Sequence, residues 1–94
     1  MKNATIILAP EVDAAILRLI DYVHPSEIPD VLKFIERIQS SMAGTLSAYP
    51  EGGARFQDQV RMFPVDGYTF LYEYQAETNE VHVLDLLMPG QNWR

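Results

Sequence analysis

The sequence contains no cysteine. This absence excludes disulfide bonds, a catalytic thiolate and the common metal sites that are built from cysteine. A chain without thiols suits a reducing compartment, so we predict a cytoplasmic location.

Long hydrophobic runs are missing as well. The apolar run near the N-terminus, over residues 4–8, is ended by Ala9 and Pro10. It stops too soon for the core of a signal peptide and far too soon for a membrane span. We therefore expect these residues to belong to the fold, and we expect no membrane partner.

Positive charge is scarce. Seven Lys and Arg residues stand against thirteen Asp and Glu residues, which gives a formal net charge of -6. The cations are scattered from Lys2 to Arg94 without forming a cluster. Because the overall field of such a protein repels phosphate backbones, the composition predicts no direct binding of nucleic acid.

The sequence does contain enough apolar material for one core. Hydrophobic residues make up 48% of the 94 residues. That share is typical of a folded domain, and the length supports one core rather than two. We therefore predict a single domain spanning residues 1–94.

Two amphipathic helices are predicted after a short N-terminal strand over residues 4–8. Pro10 suits the first turn of a helix, and apolar residues recur at helical spacing as far as Val23. A break at residues 24–26 follows, and Ser26 is suited to cap a second helix that ends near residues 49–50. The apolar stripe of this second helix consists of Ile28, Val31, Leu32, Ile35, Ile38, Met42 and Leu46.

Three strands are predicted in the second half of the chain, after a loop over residues 51–54. They cover residues 59–63, 68–74 and 80–87, and the tight turns between them indicate an antiparallel meander. The complete order is strand, helix, helix and three strands. This order predicts an α+β fold in which an antiparallel sheet has an N-terminal strand and a helical hairpin packed on one face.

The sequence shows no complete catalytic or metal-binding pattern. It lacks a Gly-rich phosphate loop and a serine nucleophile motif, and neither His24 nor His82 has a second ligand at metal spacing. We therefore expect no cofactor and no metal, and we favour a protein-binding role over an enzyme. The alternating aromatic residues of strand 68–74 favour packing inside the fold over stacking on bases, because so little positive charge accompanies them.

Two features near the C-terminus leave alternatives open. Asp85 lies in an otherwise apolar strand, so we expect it to pair with a backbone group or with an arginine such as Arg61. Trp93 is either exposed for binding or folded back onto the sheet, since tryptophan is common at the centres of protein interfaces. The tail supplies four candidate partner-binding residues, Gln91, Asn92, Trp93 and Arg94.

The order of these features resembles the RelE/ParE superfamily of bacterial toxins. The resemblance covers nearly the whole chain. It rests on a helical hairpin ending in Leu46-Ser47-Ala48-Tyr49-Pro50-Glu51-Gly52, on Arg61 before a turn, on Gly67-Tyr68 leading to Tyr72, and on Val81 to Leu87 followed by a tail with Trp93. It implies a toxin of a type II toxin–antitoxin system that forms a hetero-oligomer with a cognate antitoxin.

The two branches of this superfamily imply different targets. RelE-like members cleave messenger RNA on the ribosome with basic and tyrosine side chains, whereas ParE-like members act on DNA gyrase and lack that set. The segment from Met88 to Asn92 lacks the basic residues that the ribonuclease branch carries after its last strand. The resemblance therefore favours a ParE-like gyrase inhibitor, with Arg61 and the tail as partner-binding residues. A RelE-like ribonuclease and a non-toxic antitoxin-binding relative are the alternatives, and Arg61 fits a structural ion pair equally well.

Overall fold

A computed structural model describes residues 2–93. Within these residues the chain forms two α-helices and five strands. A short 3-10 turn connects the two helices. The elements are β1 (Thr5–Leu8), α1 (Pro10–Asp21), the 3-10 turn (Pro25–Glu27), α2 (Ile28–Ala48), β2 (Ala54–Gln57), β3 (Val60–Val65), β4 (Tyr68–Gln75) and β5 (Glu80–Leu87). The predicted α+β class, the N-terminal strand and the helical hairpin are all confirmed.

The strands form one open sheet in the order β1-β5-β4-β3-β2. The last three strands pair in the predicted antiparallel meander, and β1 joins the far edge parallel to β5, with Ile7 opposite His82. The sheet is therefore mixed, whereas the sequence predicted an antiparallel one. The direction of β1 was not predictable locally, because its partner follows more than seventy residues later along the chain.

The two helices follow the predicted apolar stripes. α1 begins at Pro10 and ends at Asp21, slightly before the predicted end, and α2 continues to Ala48. The turn between them is capped by His24 rather than by Ser26, because Nδ1 of His24 accepts a hydrogen bond of 3.2 Å from the backbone N–H of Ser26. Within residues 2–93, neither helix has the length and apolar character that a membrane crossing requires.

The edge strand β2 was not predicted. It begins at the last residue of the predicted loop and continues through the three residues that follow. All four of its residues are exposed, so it lacks the alternation of apolar and polar residues that identifies a half-buried strand. β3 also continues through Pro64, where a turn was predicted. β2 accompanies β3 only as far as Met62, so Pro64 lies where one side of β3 has no strand beside it. The turn was also predicted at Asp66 and Gly67, and there it is confirmed, since both residues have positive φ between β3 and β4.

The main core fills the space between the helices and one face of the sheet. Phe70 and Tyr72 of β4 are fully buried there, and Tyr68 and Tyr74 pack against its margin. This confirms that the aromatic strand packs inside the fold. The helices contribute Val12, Ala15, Ile35, Ile38, Met42 and Leu46 to the same cluster.

A bulge in β5 shifts the alternation of its side chains between the two faces of the sheet. Leu71 pairs with Asp85 and Tyr72 with Val83, so Leu84 is the extra residue. Val83, before the bulge, faces the helices. Leu87, after the bulge, belongs to a second, smaller cluster on the opposite face. We call the face opposite the helices the open face.

Candidate functional site

The C-terminal tail folds back onto the open face of the sheet. Trp93 packs against the smaller apolar cluster, where Val60, Leu71 and Leu87 are buried. Its indole Nε1 donates a hydrogen bond of 3.1 Å to Oδ2 of Asp85, and its ring meets Phe56 edge-on at 5.8 Å between centroids. Of the two predicted placements of Trp93, the structure has the folded-back one.

The other tail residues form a short turn after β5. The side-chain Oε1 of Gln91 accepts a hydrogen bond of 2.9 Å from the backbone N–H of Met88, and the backbone N–H of Gln91 donates to the oxygen of Met88. Gly90 between them has a φ of 80°, which a glycine adopts without steric cost. Asn92 is exposed. The fourth predicted tail residue, Arg94, lies outside the described residues.

Asp85 has the partner that its position requires. Its Oδ1 accepts a hydrogen bond of 2.8 Å from the backbone N–H of Leu86, and its Oδ2 accepts the one from Trp93. The predicted backbone partner is therefore present. The proposed pairing with Arg61 is wrong, because Arg61 lies on the helix-covered face and Asp85 on the open face.

Arg61 holds the loop between α2 and β2. Its Nη1 donates hydrogen bonds of 3.2 Å to the backbone oxygen of Glu51 and of 2.9 Å to that of Gly53. A guanidinium suits this task because its fork of N–H groups can satisfy two carbonyl groups at once. The sequence offered a structural role for Arg61 as an ion-pair partner. In the structure its hydrogen bonds go to backbone carbonyl groups instead.

Tyr72 holds the same loop from the side of the main core. Its hydroxyl accepts a hydrogen bond of 2.8 Å from the backbone N–H of Gly53. Burial raises the pKa of the Tyr72 hydroxyl, although the hydrogen bond from Gly53 and the charge of Arg61 act in the opposite direction. A tyrosine held in this way stays protonated near neutral pH and points into the core.

Two arginines face each other at the β2 edge. Arg55 and Arg61 are cross-strand partners, and together with Asp58 and Gln59 they line a small pocket of 70 Å³. Arg55 is exposed. This is a pair of cations at one end of the sheet, and the sequence showed no cluster because six positions separate them.

A histidine and a carboxylate pair elsewhere on the sheet. Nε2 of His82 and Oε1 of Glu80 are 2.9 Å apart, and this hydrogen bond, followed by that from Thr78, lowers the pKa of Glu80. His82 lies on the open face, whereas Arg61 lies on the other face, so the two cannot act on one phosphate. Within residues 2–93, His, Asp and Glu side chains form no group of three or more that could hold a metal ion.

An apolar groove lies where α1, α2 and the start of β4 meet. Its apolar lining consists of Leu19, Val23, Val31, Phe34 and Tyr68, and its volume is 510 Å³. We call it the helix groove. A second depression of 380 Å³ continues from Leu19 past the exposed Tyr22 to the tail at Met88 and Pro89. The sequence identified Val31 as buried, but helical periodicity does not show which part of a stripe the rest of the fold leaves uncovered.

Comparisons with known proteins identify the fold. No family model matches the chain, and no curated protein matches it. Among solved structures, a chain of the RelBE2 toxin–antitoxin complex from Mycobacterium tuberculosis is 16% identical, with a TM-score of 0.63 over 97% of each chain. The isolated RelE toxin of E. coli is 12% identical, with a TM-score of 0.58 over 95% of this chain and 87% of that one. The chain therefore has the fold seen in these two structures.

Proposed function

We propose that this chain is the RelE-type toxin of a toxin–antitoxin pair, and that it forms a complex with an antitoxin. The observation that carries the proposal is the agreement of fold along most of both chains in each comparison. One of the matching structures, that of RelBE2, is itself a toxin–antitoxin complex. The resemblance of the sequence to the RelE/ParE superfamily supports the same proposal.

A protein-binding role also agrees with the surface. The helix groove presents apolar side chains to solvent, and Tyr22 beside it is 90% exposed. Apolar patches of this kind mark sites where another protein packs. A partner that covered them would also stabilise the folded chain by mass action.

Co-expression tests the proposal. The chain, carrying an affinity tag, is produced together with the polypeptide encoded next to it, and the complex is isolated and its mass measured by light scattering. A complex of defined stoichiometry in which the neighbour raises the Tm of the chain is the expected result. A neighbour that leaves both the mass and the Tm unchanged would contradict the proposed complex.

RNA cleavage is the second candidate, because Arg55 and Arg61 lie side by side at the β2 edge. Two cations placed together can stabilise the charge that develops on a phosphate during cleavage. Arg55 is the better candidate of the two, since Nη1 of Arg61 is engaged by backbone carbonyls. The buried Tyr72 does not supply a proton to an external substrate, so a general acid and base would have to come from elsewhere.

Transcript integrity after induction of the chain tests this second candidate. We expect cleavage to be lost in Arg55→Ala and retained in Arg18→Ala, which removes the same charge from the exposed surface of α1. Transcripts that stay intact with the native chain would exclude the ribonuclease.

DNA gyrase, the target favoured from the sequence, receives no support from the two structures described above, which are a RelBE2 toxin–antitoxin complex and an isolated RelE toxin. Plasmid supercoiling, followed in the same culture, shows whether gyrase is inhibited. Altered supercoiling with intact transcripts would restore the gyrase interpretation, and normal growth with soluble, folded protein would favour a non-toxic antitoxin-binding relative.

A further inference from the structure

The helix groove is an apolar channel with one open side. Leu19, Val31 and Phe34 contribute to the margin of the main core and line the groove as well. Phe34 is held in place by a tilted ring contact with Tyr68, at 5.2 Å between centroids. The floor is therefore a preformed apolar surface of the kind into which aliphatic side chains fit.

The charged residues at this groove have one sign. Of the described residues that line it, two are charged, and both are acidic: Glu27, the last residue of the 3-10 turn, and Asp30, in the first turn of α2. Arg37 lies over the ring of Phe34 at 5.0 Å, but its charge is offset by Asp66 at 3.6 Å. Arg18 lines the neighbouring depression, not the groove. With a net charge of -6 on the chain as a whole, the groove attracts positive charge.

The walls determine the shape of the partner. They consist of α1, α2, β4 and the connection between the helices that carries Val23 and Glu27. β4 lies inside the sheet between β5 and β3. The backbone groups of helices and interior strands are already hydrogen-bonded, so a partner cannot add to this surface as a strand. A segment that lies in the groove must satisfy its own backbone, and a helix does so.

We propose that the helix groove binds a basic amphipathic helix of the antitoxin. Aliphatic side chains on one face of that helix pack between Val23 and Phe34, and Lys or Arg side chains at its edge pair with Glu27 and Asp30. This inference rests on the proposed function and adds to it the chemistry of the partner segment.

A titration with model peptides tests the groove directly. The probe is a synthetic helical peptide of Leu and Lys with Leu at positions i, i+3, i+4 and i+7, added to the full-length chain labelled with 15N. Saturable binding is expected, with the largest chemical-shift changes at the five apolar lining residues, Leu19, Val23, Val31, Phe34 and Tyr68. Absence of binding, or changes centred elsewhere, would overturn the proposal, as would equal affinity for a peptide with Glu in place of Lys.

Matched charge variants separate the groove from the general acidity of the chain. Glu27→Gln/Asp30→Asn is expected to weaken peptide binding about tenfold. Glu11→Gln/Asp13→Asn makes the same change at the start of α1, where both residues are exposed, and should leave the affinity within about twofold. Equal losses in the two double variants would indicate a diffuse field and would overturn the assignment to the groove.

The same two double variants distinguish this inference from the proposed function. If the antitoxin binds the native chain and binds Glu27→Gln/Asp30→Asn equally well, the groove assignment fails while the proposed function stands. If no antitoxin binds the native chain, the proposed function fails, and the peptide titration still decides whether the groove takes a basic helix.

Discussion

The indole Nε1 of Trp93 donates a hydrogen bond of 3.1 Å to Oδ2 of Asp85, which joins the C-terminal tail to the last strand of the sheet. The carboxylate of Asp85 would otherwise lack a side-chain partner among apolar neighbours of the open face, and the indole would lose its place over Val60 and Leu71. The tail is therefore part of the fold. Its role in partner binding remains a prediction, and a partner would meet the tail packed against the sheet in this way.

Replacing Trp93 with phenylalanine tests this relationship. Trp93→Phe keeps an aromatic ring over the sheet but removes the hydrogen bond to Asp85, so we expect the free energy of unfolding to fall by about 1 kcal/mol. Urea denaturation followed by circular dichroism measures the change. Tyr22→Phe, at a side chain that is 90% exposed, is the control and should leave the stability unchanged. Equal stability of Trp93→Phe and the native chain would show that the hydrogen bond contributes nothing.

Two glycines predict opposite effects of the same substitution. A Cβ at Gly53 would lie 2.6 Å from the backbone oxygen of Met62 and from the hydroxyl of Tyr72. Gly53→Ala should therefore destabilise the chain by about 1–3 kcal/mol through overpacking. Gly44 lies inside α2 with nothing within 4 Å of its Cβ position, so Gly44→Ala should stabilise the chain by up to about 1 kcal/mol. Thermal unfolding of both variants checks the prediction, and effects of the same sign would contradict it.

Arg61 should contribute to stability whether or not it has a second role. Arg61→Ala removes both hydrogen bonds to the backbone carbonyls of Glu51 and Gly53, and we expect a loss of about 1–2 kcal/mol in unfolding free energy. Arg55→Ala is the control, because its exposed side chain makes no hydrogen bond to the described part of the chain. If both variants unfold at the same denaturant concentration as the native protein, the structural assignment of Arg61 is wrong.

The buried hydroxyl of Tyr72 predicts a pH dependence. Its pKa is raised above the usual 10.0 mainly by burial, so the folded chain holds this proton more tightly than the unfolded chain does. The stability that follows is fully present below the unfolded value and is lost as pH rises through the higher pKa of the folded state. Tyr72→Phe should therefore lose stability at neutral pH, by about 1–3 kcal/mol because Gly53 N–H loses its acceptor, but should decline less steeply above pH 10. Parallel slopes for the native chain and Tyr72→Phe in alkaline urea denaturation would count against this interpretation.

The elements with strong periodicity were predictable from the sequence. Apolar residues at helical spacing identified both helices, and the alternation from Tyr68 to Tyr74 identified β4. β2 was missed because an exposed edge strand has no apolar alternation, and Pro64 was misinterpreted because the end of β2 decides whether a proline fits in β3. Both errors arise from neighbours in the sheet, which no local pattern records.

The candidate site was predictable in part. The need of Asp85 for a backbone partner followed from its apolar surroundings, but the bulge at Leu84 decides which face it occupies and therefore excludes Arg61. The helix groove was not predictable, since Leu19 and Val31 have the same spacing as fully buried members of their stripes. Only the packing of the two helices on the sheet shows where the stripe stays open.

Growth of a bacterium that expresses the chain from a tightly controlled promoter tests the central claim most directly. The RelE-type toxin that we propose predicts growth arrest when the chain is produced alone and recovery when the antitoxin is produced with it. Uninterrupted growth in the presence of soluble, folded chain would contradict it.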